Sequence, residues 1–249
     1  MTGPTAGGSA APSEKPYVRR LCWPYLSAQA LHYLLFALRA QQFRSRRPML
    51  GDAHRPVFGV PGRSVALTVD DGPHPEWTPR MLELLDRHRV RATFFLIGAR
   101  VREHPDLARR IREAGHAIGN HSMSHPQPFA ALPPARLRAE IADAQGWIGD
   151  AVGAAPRLFR APGGNWSPAV LRAGADLGLA PVDWTVNPSD WRSPGVARIT
   201  RRLSRSRPGH VLLCHDGGGD RSQTVEALET VLPRLLDRGL RFVVPGADR

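Results

Sequence analysis

Lysine is all but missing from this chain of 249 residues: Lys15 stands alone beside 33 arginines. Such a skew has the look of a coding bias. No stripe of interleaved aromatic and basic residues goes with it, so the net charge of +12 does not point to nucleic acid as a partner. Cysteine is nearly absent too: Cys22 and Cys214 cannot build a disulfide scaffold and do not fix a redox compartment. No clean apolar run reaches the roughly 18 residues of a membrane span. With 42% hydrophobic and 22% charged residues, a polytopic membrane protein and chain-wide disorder are both excluded. No repeat of fixed period appears. What remains is a chain long enough to bury a core, of a size that suits one α/β barrel with an appendage.

The appendage is read at residues 1–56 and the barrel at 57–249. The first segment holds 8 basic and 2 acidic side chains, so half of the positive excess sits in under a quarter of the chain. Its first eighteen or so residues, rich in Gly, Ala, Pro, Ser and Thr, read as a disordered tail. Between Arg20 and Arg39 no charged residue occurs, yet Pro24, Ser27, Gln29 and His32 interrupt the apolar run. No small-x-small cleavage site follows it, and arginines flank both ends, which denies a signal peptide or spanning helix a clear orientation. An amphipathic helix is expected instead, docked on the domain or making peripheral membrane contact through residues 19–47.

From Ser64 onward, short β-branched or aromatic runs alternate with longer helical patterns, the mark of βα units around a parallel sheet. Seven strands are expected, at residues 65–69, 92–96, 117–119, 158–159, 180–182, 211–213 and 241–244. Helices are expected at 77–87, 101–114, 134–148, 168–176, 196–204 and 224–237. Ser167-Pro168 reads as an N-cap and first-turn proline, and Gly115, Gly178 and Gly239 stand where helices should stop. Right-handed crossovers place the loops after the strands on one face, so polar residues just past strand ends should converge there.

Those positions carry Asp70-Asp71-Gly72-Pro73, His121-Ser-Met-Ser-His125, Arg160-Ala-Pro-Gly-Gly164, Trp184 to Asp190-Trp191, and Cys214-His215-Asp216. A carboxylate with two imidazoles is the donor set of a three-ligand hydrolytic metal centre with positions open for water. The spacing of His121 and His125 also suits two polar histidines in a surface loop. Gly119-Asn120 before them and Pro126 after argue instead for a strand-end turn facing the aspartates. Asp70 and Asp71 point in different directions, so one can bind a metal while the other takes a proton; an N-cap pair ahead of Pro73 is the alternative. His74, His88, His104 and His116 read as solvated or satisfied in the core. Cys214 cannot pair catalytically with His215, because strand neighbours face opposite ways. The glycines after Asp216 read as a flexible loop that leaves the mouth open.

Thr-Val-Asp-Asp-Gly-Pro, His-Ser-x-x-His, Arg-x-Pro-Gly-Gly, Asp-Trp and Leu-x-His follow one another as in polysaccharide deacetylases, and over residues 64–244 the chain resembles their NodB-homology group, carbohydrate esterase family four. The resemblance implies a distorted (β/α)7 TIM-like barrel and a metal-dependent hydrolase acting on linear amide C–N bonds, removing N-acetyl groups from N-acetylglucosamine-type sugars. It makes Asp71, His121 and His125 the metal ligands, Asp70 the base, Arg160 the partner that orients the base, His215 the acid and Asp190 the group that tunes it. The ion implied is Zn2+, with Co2+ or Ni2+ equally compatible with the donors.

An amide also needs a home for the developing oxyanion, and a backbone N–H of the Gly163-Gly164 turn, assigned to Gly164, can serve. Trp191 and Leu213 would wall an acetyl-sized pocket. Two positions depart from the family pattern: Gly164 stands where tyrosine is expected and Asn187 where many relatives carry aspartate. These departures bear on the substrate. A glycan or oligosaccharide substrate is expected, with a small amino-sugar metabolite or an O-acetyl ester as the alternative. An inert sugar-binding barrel is the reading from another class. A monomer is expected, working outside the cytoplasm or at a membrane by analogy with the family, although the N-terminus shows no clear export signal.

Overall fold

The computed structural model describes residues 59–245; the extension expected over residues 1–56 lies outside them. Among the described residues no helix is long and apolar enough to cross a membrane. The central strand, β1 (Ser64–Asp70), is buried along its whole length. Its alternation divides two environments: Val65, Leu67 and Val69 join the large apolar cluster beneath the helices, while Ala66 packs inward with Val60 and Val211. Thr68 and Asp70 share that inward face, because residues two apart on a strand point the same way.

Six more strands follow: β2 (Thr93–Leu96), β3 (Ala117–Asn120), β4 (Leu158–Phe159), β5 (Ala180–Pro181), β6 (Val211–His215) and β7 (Arg241–Phe242). They lie in the order β5-β4-β3-β2-β1-β6, all parallel, with β7 paired to the start of β1. Between β5 and β6 the seam is closed by irregular chain. Thr185 and Val186 donate their N–H groups to the Val211 carbonyl at 2.9 and 3.1 Å, and Leu213 donates to Val186 at 2.9 Å. The sheet thus curls into the expected distorted barrel.

Seven helices wrap it: α1 (Trp77–Arg87), α2 (Gly98–Glu103), α3 (Pro105–Glu113), α4 (Pro134–Val152), α5 (Pro168–Ala175), α6 (Val196–Leu203) and α7 (Ser222–Asp237). Each turns an apolar stripe inward; in α4 it is Leu137, Ile141, Ala144 and Ile148, at helical spacing. Ser167 caps α5 by accepting from the Val170 N–H at 3.2 Å, as the Ser-Pro pair implied.

Several element ends shift by a few residues from expectation, and two of the differences have a clear cause or consequence. The helix expected at 101–114 is two helices, because Pro105 has no N–H to continue the ladder and opens a new helix, while His104 leaves helical geometry at φ −135 and ψ 61. Strand β6 runs two residues past its apolar run. Cys214 and His215 pair with Val69 and Asp70, so His215 is the last residue of the strand and not the first of a loop.

Candidate active site

The C-terminal ends of the strands form the mouth, where Asp70, Asn120 and His215 close β1, β3 and β6. Arg160 follows β4 and is fully buried. One of its terminal nitrogens donates to Asp70 Oδ1 and to Thr68 Oγ1, each at 2.7 Å. Its Nε and its other terminal nitrogen donate to the carbonyls of Val182 and Asp183, at 3.2 and 3.1 Å. The guanidinium also lies 4.2 Å from the centre of the Phe95 ring. A buried cation is tolerable only when paired and hydrogen-bonded in this way. The carboxylate gains a fixed orientation, with Oδ1 held and Oδ2 turned toward His121, 3.6 Å from its Nε2.

Asp71, His121 and His125 place ligand atoms within 4.8 Å of one another. The donor chemistry fits a cation. His121 Nδ1 lies 2.8 Å from the Arg160 carbonyl, which can only accept, so Nδ1 carries the proton and Nε2 presents a lone pair. That lone pair faces Asp71 Oδ1 at 3.5 Å, and His125 Nε2 faces the same oxygen at 3.4 Å. Asp71 Oδ1 is buried and has no hydrogen-bond partner among the described residues. Burial opposes its ionisation; when the facing histidines are protonated, the His121 contact and the charges of His215, His121 and His125 outweigh that burial and hold Asp71 well below the usual carboxylate range. His125 is pushed down by burial and then by His121, toward the neutral form a ligand needs.

The backbone holding these ligands is bent into unusual shapes. Asp71 and His125 both have positive φ, 76 and 53 degrees. The histidine loop is pinned at each step. Ser122 N–H donates to Asn120 Oδ1 at 2.8 Å, His125 N–H to Ser122 Oγ at 3.0 Å, and Ser124 N–H and Oγ to the two oxygens of buried Glu140 at 2.9 and 2.8 Å. Beside Asp71 the chains pack so closely that a Cβ on Gly72 would lie 2.5 Å from Asp216 Oδ1, and one on Gly217 would run into the Asp71 carbonyl. The run after Asp216 therefore begins as a close-packed wall and not as the loose loop expected. Buried Asp216, which accepts from Thr78 Oγ1 at 2.5 Å, is pushed up to about 7 by burial and by the Asp71 charge.

Across the mouth, His215 Nδ1 lies 2.8 Å from Asp190 Oδ1. Asp190 Oδ2 accepts from the His215 N–H at 2.8 Å and from Thr224 Oγ1 at 3.0 Å, so both carboxylate oxygens are occupied. Burial disfavours the imidazolium, but the charge and hydrogen bond of Asp190 outweigh it and raise His215 to about 9. The site thus offers a held carboxylate, a cation-shaped triad and an imidazole that keeps its proton at neutral pH.

A family model for polysaccharide deacetylases matches residues 59–182. A chitooligosaccharide deacetylase of Bradyrhizobium sp. (strain ANU 289) is 45% identical over 193 residues, covering 72% of this chain and 88% of that one. The chain belongs to the polysaccharide deacetylase family. Among solved structures, a peptidoglycan N-acetylglucosamine deacetylase is 36% identical with a TM-score of 0.72, covering 75% of this chain and 88% of that one. A family 4 carbohydrate esterase from Streptomyces lividans, in complex with acetate, is 33% identical with a TM-score of 0.69, covering 73% and 92%.

In this deacetylase the expected site residues Asp70, Asp71, His121, His125, Arg160, Asp190 and His215 come together. Trp191 sits at the rim, 49% exposed, and Leu213 lies one pleat below His215 on the inner face, buried. The Gly164 assignment needs correction. Its N–H donates to the Ala161 carbonyl at 2.9 Å within the turn Pro162–Gly164, so it is already spent and does not supply the oxyanion donor. His116, in contrast, is satisfied in the core as expected, accepting from Ala92 N–H at 3.2 Å. Sequence reasoning missed Thr68, Thr224 and Glu140. Thr68 alone carried a usable signal, two residues before Asp70 on the same strand face.

Proposed function

We propose that the protein is a metal-dependent N-deacetylase acting on N-acetylglucosamine-type units of a polysaccharide or oligosaccharide, the chitin-like and peptidoglycan-like substrates for which its relatives are named. The observation that supports metal dependence is the clustering of Asp71, His121 and His125 ligand atoms within 4.8 Å of one another, with His121 Nδ1 engaged by the Arg160 carbonyl so that Nε2 of the neutral ring is left to face the carboxylate. Asp71, His121 and His125 would hold it, leaving positions open. When bound, a divalent cation supplies Lewis acidity toward water and toward an acyl oxygen.

The chain's own groups do the proton work. Asp70, with Oδ1 locked by Arg160, keeps Oδ2 free to take a proton from the attacking water. His215, protonated against Asp190, delivers a proton from Nε2 to the departing amine, without which an amide does not expel its nitrogen. Leu213, buried beneath His215, and Trp191, at the rim, would border the acetyl group.

Acetate release from chitooligosaccharides, peptidoglycan strands and small N- and O-acetyl sugars, after chelation and readdition of single metals, tests reaction, ion and substrate together. Restoration by Zn2+, Co2+ or Ni2+ on an N-acetylated glycan supports the reading. Release unaffected by chelation, or confined to O-acetyl esters, overturns it.

A further inference from the structure

Six arginines, at 192, 198, 201, 202, 205 and 207, crowd a stretch of 25 residues from Trp191 to His215 that contains no aspartate or glutamate. All six are exposed. A coding bias toward arginine sets how many arginines the chain has; it does not remove their acidic neighbours. Elsewhere on the surface Arg80, Arg87, Arg100, Arg136 and Arg138 each pair with a carboxylate, while Arg109, Arg110 and Arg112 do not, although acidic residues stand beside them in the sequence. Among the described residues none of these six does. Arg202 donates to the Asn187 carbonyl at 3.0 Å.

Their placement is ordered. Arg198, Arg201, Arg202 and Arg205 follow the i, i+3, i+4, i+7 rule along α6 and the turn after it, so they form one outward stripe opposite buried Ile199 and Leu203. Arg238 extends the positive field beyond the helix end, donating to the carbonyls of Ser204 and Ser206 at 2.7 and 2.8 Å. Of the acidic groups on α7, which packs against α6, Glu229 is already paired with Arg87 and lies 4.0 Å from His88. In chain order α6 begins four residues after Arg192, which stands at the mouth. Arg192 lies 4.5 Å from the centre of the Trp191 ring, and Trp191 follows Asp190, the partner of His215.

We infer that the Trp191-Arg192 rim and the α6 arginine stripe form an extended docking surface for the flanking part of the substrate strand, and that this strand carries carboxylates. The inference rests on the deacetylase reading of the same site. An indole at the rim offers an apolar face to a sugar ring, and guanidinium forks bind carboxylates in paired hydrogen bonds. A stripe that follows Arg192 in the chain and runs about 12 Å down one helix suits a linear polymer whose next unit is in the site.

The test compares the full chain with the R198Q/R201Q/R205Q variant, whose three positions lie outside the catalytic groups. Acetate release is measured on neutral chitopentaose, on soluble peptidoglycan strands with free stem-peptide carboxylates, and on the same strands after amidation of those carboxylates. The expected result is a KM about tenfold higher in the variant for the carboxylated strands at low salt, with kcat unchanged. Chitopentaose and amidated strands should give equal KM with both proteins. Raising salt to 1 M, where the screening length is about 3 Å, should bring the full chain to the variant's KM. Equal KM on carboxylated strands, a shift shared by chitopentaose, or no salt dependence in the unaltered protein overturns the inference while leaving the deacetylase reading intact. Acetate release from no N-acetylated substrate overturns that reading instead.

Discussion

Asp70 and His215 are register partners, the last residues of the adjacent parallel strands β1 and β6. Parallel pairing therefore fixes the proposed base and acid side by side on the inner face, and neither depends on a loop for its position. Each is then turned by a different neighbour: Asp70 by Arg160 just after β4, His215 by Asp190 from the short helical turn Asp190–Arg192. The two groups proposed to transfer protons are thus each oriented by a buried ion pair, one with a cation behind a carboxylate and the other with a carboxylate behind an imidazole.

Replacing Asp70 with Asn should lower kcat by about 10²- to 10⁴-fold, the usual range for loss of a positioned base. The fold should survive. Arg160 keeps Thr68 and the carbonyls of Val182 and Asp183 as acceptors. The cost in stability should therefore be about 1–3 kcal/mol, below the ~3–5 kcal/mol of a fully stranded buried charge. Steady-state acetate release and urea denaturation of the same preparation measure the two effects. A D70N protein with unchanged kcat would remove the base assignment.

His215 predicts the alkaline limb. In metal-free protein its imidazole should titrate near pH 9 by NMR, because Asp190 outweighs the burial that opposes protonation. Its folded value lies above the ordinary 6.5, so the pair stabilises the fold fully below pH 6.5 and loses that contribution as pH rises through 9. In D190N the titration should move down toward 6.5 or below, and the alkaline limb of kcat with it. T224A, which removes the hydroxyl on Asp190 Oδ2, should move it less.

Metal binding should register as stability. A ligand that binds only the folded state at about 100 times its Kd adds about 2.7 kcal/mol, so chelation should lower Tm and Zn2+ should restore it. D71N and H121A should abolish the shift. E140Q should weaken it with less effect on the metal-free fold, since Glu140 holds Ser124 in the loop carrying His125 and its remaining partner is the exposed Arg136. Calorimetric titration of metal into each protein provides the check, independent of turnover.

Much of this site is legible in the sequence because its residues sit at strand ends, where alternation and turn chemistry fix direction. Asp70, His121, Arg160 and His215 were all placed by that logic. The supporting groups were not. Thr224 and Glu140 lie on helices 34 and 16 residues from the groups they hold, and nothing local in the sequence marks a helical threonine or glutamate as facing inward. Gly164 failed for the reverse reason. Glycine in a turn signals freedom for the backbone to approach a substrate, but it also permits the tight turn that uses the N–H internally. Pro105 was the missed boundary that needed no structure, since a proline in a helical pattern ends or restarts it.

His116 predicts a stability change remote from the catalytic groups. It is buried, accepts a hydrogen bond from Ala92 at Nδ1, and packs edge-on to Phe94 at 5.2 Å. Burial, reinforced by Arg91, lowers it to about 4. The unfolded chain binds a proton near 6.5 where the folded protein does not, so stability should fall as pH drops from 6.5 toward 4, by on the order of 3 kcal/mol in all. H116N, whose side-chain oxygen can still accept from Ala92, should flatten that slope while leaving kcat at neutral pH unchanged. Urea midpoints between pH 4 and pH 7 distinguish the two proteins, and parallel slopes would show that another group drives acid unfolding.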